Sequence, residues 1–540
     1  MNIRLYNIEH NKVNNKLKIE MSILTELNDK LNSCKLIPNC NGKVNTEKEI
    51  FFNITEGPIV NKENIEYRLN KVTCDNLNLK IDTYKFEITT NLKTEIAKIT
   101  DNKENDIVME GNQYYIYLKN TILEIKNNSI VVKKKTCFNK IKYEINKLLF
   151  SINKLKKIPI LRMFKTKSKY YLFNDRMLIA DDNATALFEY INNNNKEIAK
   201  YSYFVLDKNS KDIEKIKKIG KVLIHKSFKH KLKYLNSKCV ISSFGAYTNT
   251  VFNPFDINEM QMYKDILDRK FIFTQHGVIM TDVSEYLNKT MINAYRFVTS
   301  TKDEYDFVTS NKYLYNKEEV VLTGLPRFDK LKDESENIIL ISPSWRMYLT
   351  GLTDKEFKKS EYYIHYKNLL NNEELLNTLK QKEFKIQFLL HPNLSNSLNI
   401  FKELESENIK ILVASEIKYS ELFKKCKIFI TDYSSIHFDL AYLKKIIMYY
   451  QYDKEEFFSK HYKKGYYDYE KHGFGEVITE NETMINKLIE YINNPVCKEK
   501  YIEKINKSFF KIDTNNCQRL YENIKNIDDN KISYSVNNVI

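Results

Sequence analysis

The sequence has no CxxC pair and no Cys/His run at ligand-like spacing. Its eight cysteines, at 34, 40, 74, 137, 239, 426, 497 and 517, stand singly. Neither a disulfide framework nor a zinc site is indicated, and a reducing cytosol is the expected compartment. Met1-Asn2-Ile3-Arg4-Leu5-Tyr6 lacks the basic-then-apolar layout of a secretory signal. No apolar run approaches the roughly 18 residues of a membrane span, so the chain is expected not to cross a bilayer. It also lacks an internal repeat and any recognisable RNA- or DNA-binding motif.

What the sequence does have is length and positive charge. A chain of 540 residues is too long for one hydrophobic core, so two or three domains are expected. The net charge of +16 calls for an anionic partner: nucleic acid, anionic lipid or a phosphate-rich substrate. An abundance of Lys, Asn and Ile throughout, as AT-rich coding gives, also accounts for part of it. Basic residues are spread along the chain except in 133–169, where 13 Lys/Arg stand against one acid, Glu144. Without a nucleic-acid motif, that distribution argues against nucleic acid as the partner.

In the same segment Ile141, Ile145, Leu148, Leu149, Ile152 and Leu155 recur at helical spacing, which predicts a basic amphipathic helix within 136–169. It reads either as a dock on an anionic membrane surface or as a linker helix packed on a neighbouring domain. Residues 48–132 read as short alternating strands, such as those at 49–54 and 114–118, making 1–135 a β-rich accessory domain. From 170 onward strand-like runs alternate with helical stretches. That is the signature of α/β architecture with parallel sheets.

In doubly wound sheets ligands bind beyond the carboxyl ends of the strands, so polar residues directly after β-like runs mark the chemistry. Five such places stand out. The run 271–273 leads into Thr274-Gln275-His276-Gly277, and 320–322 into Thr323-Gly324-Leu325-Pro326-Arg327-Phe328-Asp329. The run 338–341 leads into Ser342-Pro343-Ser344-Trp345-Arg346, 384–390 into His391-Pro392-Asn393, and 428–430 into Thr431-Asp432-Tyr433-Ser434-Ser435. Ser434 and Ser435 precede the helical pattern 436–443, where free backbone N–H groups and two hydroxyls make a metal-free phosphate site, or else an ordinary N-cap. Arg327 and Arg346 are candidates for bidentate phosphate clamps. His276, before a glycine, reads as an exposed imidazole suited to a general base.

In this order the segments resemble the CDP-glycerol glycerophosphotransferases that build teichoic acids and related capsule polymers. The resemblance rests on His276-Gly277, Gly324-Leu325-Pro326-Arg327-Phe328-Asp329, Pro343-Ser344-Trp345-Arg346, His391-Pro392, and Thr431 to Ser435 followed by Phe438-Asp439. Residues 465–475 resemble the family's C-terminal loop and 513–519 its closing helix, so that about 170–525 are covered. Where the family usually reads Trp-His-Gly-Thr-Pro-Leu-Lys, this chain has Gln275-His276-Gly277-Val278-Ile279-Met280-Thr281. Ser344 replaces the usual Thr, and Leu389-Leu390 precede His391 where a basic residue often sits.

The resemblance implies two Rossmann-like lobes in a glycosyltransferase-B-like arrangement. The acceptor lobe is expected at 170–315, the donor lobe at 316–500, and a C-terminal helix and tail at 501–540. It implies transfer of glycerol phosphate from CDP-glycerol, or a related CDP-polyol, to a hydroxyl of a lipid-linked polymer at the cytoplasmic face of the cell membrane, without cofactor or metal. His276 is the implied base. His391, Arg327, Ser434 and Ser435 are expected to hold the donor phosphates, with Thr431, Gly277 and Arg346 beside them. Asp439 is expected on a donor hydroxyl, and Pro343 and Ser344 along the nucleotide. The alternatives are a CDP-ribitol donor, a nucleotide-sugar glycosyltransferase of the same fold, and a catalytically silent polyanion-binding protein.

Overall fold

The computed structural model describes residues 2–11, 16–40, 43–44, 49–62, 65–77, 79–80, 82–96, 98–99, 114–118, 120–126, 129–153, 155–245, 253–525, 527 and 531–535. Within the β-rich region expected at 1–135, strands begin at Asn2, ahead of the stretch 48–132 where the sequence shows them individually. Two mainly antiparallel sheets occupy Asn2 to Lys134. The strand Lys16–Glu26 shows why: Leu17, Ile19, Met21 and Ile23 alternate inward and are buried, the period-two pattern of a sheet with one face on a core. Lys531–Ser535, expected to lie in a tail, pairs antiparallel with Asn2–Asn11 and so belongs to this region.

The expected helix spans Cys137–Asn153, but its orientation inverts the usual one. Tyr143, Lys147 and Ser151 are buried, while Ile141, Ile145, Leu148, Leu149 and Ile152 are exposed. Polar contacts hold the inner face. Arg162 bridges Glu144 (3.1 Å) and Asp265 (2.8 Å), and Lys147 lies 3.7 Å from Asp265. Lys154, counted in the basic segment, lies outside the described residues.

Two parallel sheets follow. The first joins β1 (Tyr170–Asn174), β2 (Ser202–Leu206), β3 (Lys221–Ile224), β4 (Ser237–Ser242), β5 (Lys270–Phe273), β6 (Arg296–Thr299) and β7 (Val320–Leu322) in the order 3-2-1-4-5-6-7. The second joins β8 (Ile338–Ile341), β9 (Lys385–Leu389), β10 (Ile409–Leu412), β11 (Ile428–Thr431), β12 (Ile446–Tyr450) and β13 (Gly475–Ile478) in the order 10-9-8-11-12-13. β2, β8, β11 and β12 are buried at every position, as strands covered on both faces must be. In each sheet the strand order reverses between the first and fourth strands, β1/β4 and β8/β11. That switch point is where such sheets open a ligand crevice.

The closing helix Asn516–Lys525 returns to the first sheet. Asp329 accepts the N–H groups of Asn516 (2.8 Å) and Cys517 (2.7 Å), capping it, and Asn195 donates to the Tyr521 hydroxyl (2.5 Å). Gly324, at φ +82°, could carry no side chain there, because a Cβ would fall 1.8 Å from Asn516 Oδ1.

Candidate active site

The site is built at both switch points. After β1 the chain runs into Asn174-Asp175-Arg176, and Asp175 accepts from the backbone N–H of Asp182, Ala184 and Thr185 and from the hydroxyls of Thr185 and Ser243. These bonds fix the N-terminus of the helix Asn183–Asn194, and Asp182 is its N-cap. Burial and the neighbouring Asp182 charge together push the Asp175 carboxyl up to about 6.

Opposite stands the turn after β5. Gln275 adopts φ +63°, and its side-chain amide holds it there by donating to the Val298 carbonyl and to buried Glu304 (2.9 Å). Gln275 O accepts from Asn183 Nδ2 (2.8 Å), and Glu304 also takes the N–H of Ile279 (2.7 Å). The turn thereby presents His276 with its side chain 56% exposed and its ring stacked on Phe244 at 5.4 Å.

His276 Nδ1 lies 2.5 Å from Asp182 Oδ2, and Nε2 lies 3.0 Å from Nη2 of Arg176. A guanidinium has no acceptor, so Nε2 must accept and Nδ1 must carry the proton given to Asp182. That tautomer, with an orienting carboxylate behind Nδ1 and a lone pair on Nε2, is the one a general base needs. Burial alone would raise the Asp182 pKa, but Arg327 and His276 outweigh it and hold the carboxylate at about 2.

The second sheet contributes the turns after β8, β9 and β11. Ser434 and Ser435 are partly exposed, and Ser435 is the N-cap of the helix Ile436–Tyr442 without a side-chain capping bond. It approaches the first sheet closely: a Cβ on Gly277 would lie 2.7 Å from Ser435 Oγ, so a larger residue at 277 must displace that hydroxyl. His391 Nδ1 accepts from Asn393 N (3.1 Å), and the ring stacks on Trp345 at 5.9 Å and 21°. In the neutral ring Nε2 therefore carries a proton to donate. Burial, aided by the charge of Arg176, lowers the His391 pKa to about 4 and keeps it neutral. Pro343 is buried and Ser344 partly exposed, its N–H donated to Asp432 (2.8 Å).

Four of the expected donor contacts are redirected by the structure. Arg346 is completely buried, bound to Asp453 (2.6 Å) and Asp432 (2.9 Å) beneath the Ser344 turn, where no ligand reaches it. Thr431 is likewise buried and donates to the Ser342 carbonyl (2.8 Å), which zips β11 to the end of β8. Arg327 gives a bidentate pair to Asp439 (2.8 Å each) and further bonds to Asp182 (2.9 Å) and the His276 carbonyl (2.6 Å). Asp439, 2% exposed, is thus spent on Arg327 and not open to a substrate hydroxyl. Both arginines follow strands, as a clamp would, but each had a carboxylate within reach that sequence order does not reveal. Conversely, Asp175, Arg176 and Asp182 were missed, although Asn174-Asp175-Arg176 follows a β-like run as the five chosen segments do.

The family model described as CDP-Glycerol:Poly(glycerophosphate) glycerophosphotransferase matches residues 158–526. The minor teichoic acid biosynthesis protein GgaB of Bacillus subtilis (strain 168) is 40% identical over 374 residues, 67% of this chain and 40% of that protein. The teichoic acid poly(glycerol phosphate) polymerase of Bacillus spizizenii (strain ATCC 23059 / NRRL B-14472 / W23) is 31% identical over 188 residues, 33% of this chain and 42% of that protein. The chain thus matches less than half the length of these relatives. A solved structure of the wall teichoic acid polymerase TagF, H548A, aligns with a TM-score of 0.53 at 16% identity, over 72% of this chain and 98% of that one, so the fold is shared. With a match over most of its length and every quoted motif inside it, the chain belongs to the CDP-glycerol:poly(glycerophosphate) glycerophosphotransferase family.

Proposed function

We propose that this chain transfers glycerol phosphate from CDP-glycerol to a hydroxyl of a growing cell-surface polymer of teichoic acid or capsule type, releasing CMP. The observation that carries this reading is the Asp182–His276 pair, an exposed ring oriented by a carboxylate behind Nδ1 so that Nε2 is the accepting nitrogen, next to a turn that approaches Ser435. The acceptor hydroxyl gives its proton to His276 Nε2, and its oxygen bonds to the β-phosphorus. The bond from that phosphorus to the bridging oxygen breaks, and CMP leaves with the electron pair. Asp182 stabilises the imidazolium that forms. His391 Nε2–H and the hydroxyls of Ser434 and Ser435 donate to the leaving phosphate, and Pro343 and Ser344 line the nucleotide.

This reading takes 170–315 as the acceptor lobe, 316–500 as the donor lobe and 501–540 as the return to the first, in a glycosyltransferase-B-like arrangement. The test is incubation of the purified chain with CDP-glycerol or CDP-ribitol and candidate acceptors, following CMP. Release with CDP-glycerol is expected. Turnover of CDP-ribitol alone moves the donor to ribitol, and turnover of neither overturns the reading.

The helix Cys137–Asn153 docks the chain on an anionic membrane at its cytoplasmic face, where a lipid-linked acceptor is presented. In support, exposed Ile141, Ile145, Leu148 and Leu149 lie among exposed Lys134, Lys135, Lys140 and Lys142, the layout of an interfacial helix.

A further inference from the structure

We propose that Arg176 binds the transferred phosphate of the donor and, by doing so, uncovers the base. The inference rests on the donor chemistry proposed above.

Three guanidinium groups come near the two switch points. Arg327 and Arg346 are each bound to two carboxylates. Arg176 is not: it is exposed, forms no ion pair with a carboxylate among the described residues, and spends one N–H on the neutral imidazole of His276. Its guanidinium carbon rests 5.4 Å from the centre of the Phe244 ring, the same ring that stacks on His276. An aromatic face is a weak partner for a cation at an exposed site, so it orients the group without neutralising it.

The charge reaches across to the second sheet. Arg176 lowers the pKa of His391 after burial does, and it opposes the burial that raises the Tyr419 hydroxyl. Asp181 feels it without coming to ion-pair distance. An exposed guanidinium beside the base, with no carboxylate at ion-pair distance among the described residues, is a site for an anion, and its planar fork fits two phosphate oxygens.

In the structure that fork covers the lone pair on which the acceptor's proton must land. When it turns to the β-phosphate oxygens, Nε2 is freed. Base and phosphate are then made ready in one movement, and an acceptor hydroxyl or a water that arrives without donor finds the base capped.

The test compares the full chain with Arg176→Gln and Arg176→Lys. Binding of CDP-glycerol and of CMP is measured by calorimetry, and transfer by CMP release. Arg176→Gln should weaken CDP-glycerol binding roughly ten- to hundredfold, the worth of hydrogen bonds to a charged group, while CMP affinity stays near wild type. Arg176→Lys should restore part of it. Melting temperatures near wild type show that the fold is intact, as expected for an exposed side chain. Unchanged CDP-glycerol affinity in Arg176→Gln, or an equal loss for CMP, overturns the proposal while wild-type turnover leaves the donor reading standing. A wild type inert toward CDP-glycerol removes both.

Discussion

Replacing Asp182 by Asn tests the catalytic reading at its most exposed point. The carboxylate takes three bonds at once: the His276 Nδ1–H, Nη1 of Arg327 and the N–H of Asn183. An amide NH2 in place of Oδ2 donates to Nδ1, forces the proton onto Nε2 and removes the lone pair that accepts the acceptor's proton. The analogous swap in a serine-protease triad costs about ten-thousandfold in kcat, and positioned base catalysis at large about a hundred- to ten-thousandfold. A loss of at least about a hundredfold in kcat is therefore expected for Asp182→Asn, and a similar one for His276→Ala. Donor affinity should change little, because the proposed donor contacts are His391, Ser434 and Ser435.

Stability supplies a second readout. Held at about 2 against an ordinary 3.8, the Asp182 carboxylate contributes about 2 kcal/mol of folding stability. Because the folded value is depressed, that contribution is present above about pH 4 and is lost as pH falls toward 2. Asp182→Asn should remove it. The assays are CMP release under single-turnover conditions and urea unfolding at pH 7 and pH 3. If Asp182→Asn turns over normally while His276→Ala does not, the tautomer argument is wrong; if both are active, the base lies elsewhere and His391 is the next to test.

Ser434→Ala and Ser435→Ala should each weaken donor binding by about 1.5–3 kcal/mol, with melting unchanged for Ser435→Ala, which loses no capping bond, and slightly lowered for Ser434→Ala, whose Oγ accepts from Ile436 N (3.3 Å); a double variant binding like wild type reduces the pair to an N-terminus. Arg346→Met strands Asp432 and Asp453 in the interior and should cost about 3–5 kcal/mol, read by chemical denaturation, and a wild-type midpoint would refute its structural role. Burial pushes Glu304 up to about 7 against an ordinary 4.5, so about 3 kcal/mol of stability is lost as pH rises from 4.5 through 7, with Asp175 adding in the same direction. Glu304→Gln should flatten that slope between pH 5 and 8, and an unchanged slope would place the titration elsewhere. Ile141→Asp with Leu148→Asp should abolish sedimentation with anionic vesicles and leave the fold intact, since both side chains already face solvent; undiminished sedimentation would make the helix a linker.

The parallel sheets were legible because their strands are short apolar runs between helical stretches, and polar residues at their ends pointed to His276, His391, Ser434 and Ser435, which the fold leaves at least partly exposed at the strand ends. The failures share one cause. Sequence order tells that a residue follows a strand, but not which neighbour the fold brings to it. Arg346, Thr431 and Asp439 follow strands and are consumed by partners 86, 89 and 112 positions away, Asp432, Ser342 and Arg327. The helix at 137–153 was found from its period, yet its apolar stripe faces outward. Periodicity gives a stripe, and the buried Arg162–Asp265 pair decides which side is turned inward. The β-rich region 1–135 is read as such, but its individual strands only from 48, although Leu17, Ile19, Met21 and Ile23 alternate plainly.

The redirected arginines also explain how the site keeps its geometry. One guanidinium, Arg327, holds the orienting carboxylate Asp182, the carbonyl of His276 and Asp439 on the helix that begins after Ser435. Four of its five N–H donors are thereby used on groups from both sheets. A shift of the Ser434-Ser435 helix relative to the His276 turn must break charge-assisted bonds worth more than neutral ones, so His276 and the hydroxyls of Ser434 and Ser435 keep a fixed spacing. The two elements are close enough that a Cβ added at Gly277 would fall 2.7 Å from Ser435 Oγ. With the spacing fixed by Arg327, the group left to move is Arg176, which has no carboxylate partner among the described residues and lies on His276 Nε2, the nitrogen proposed to take the proton.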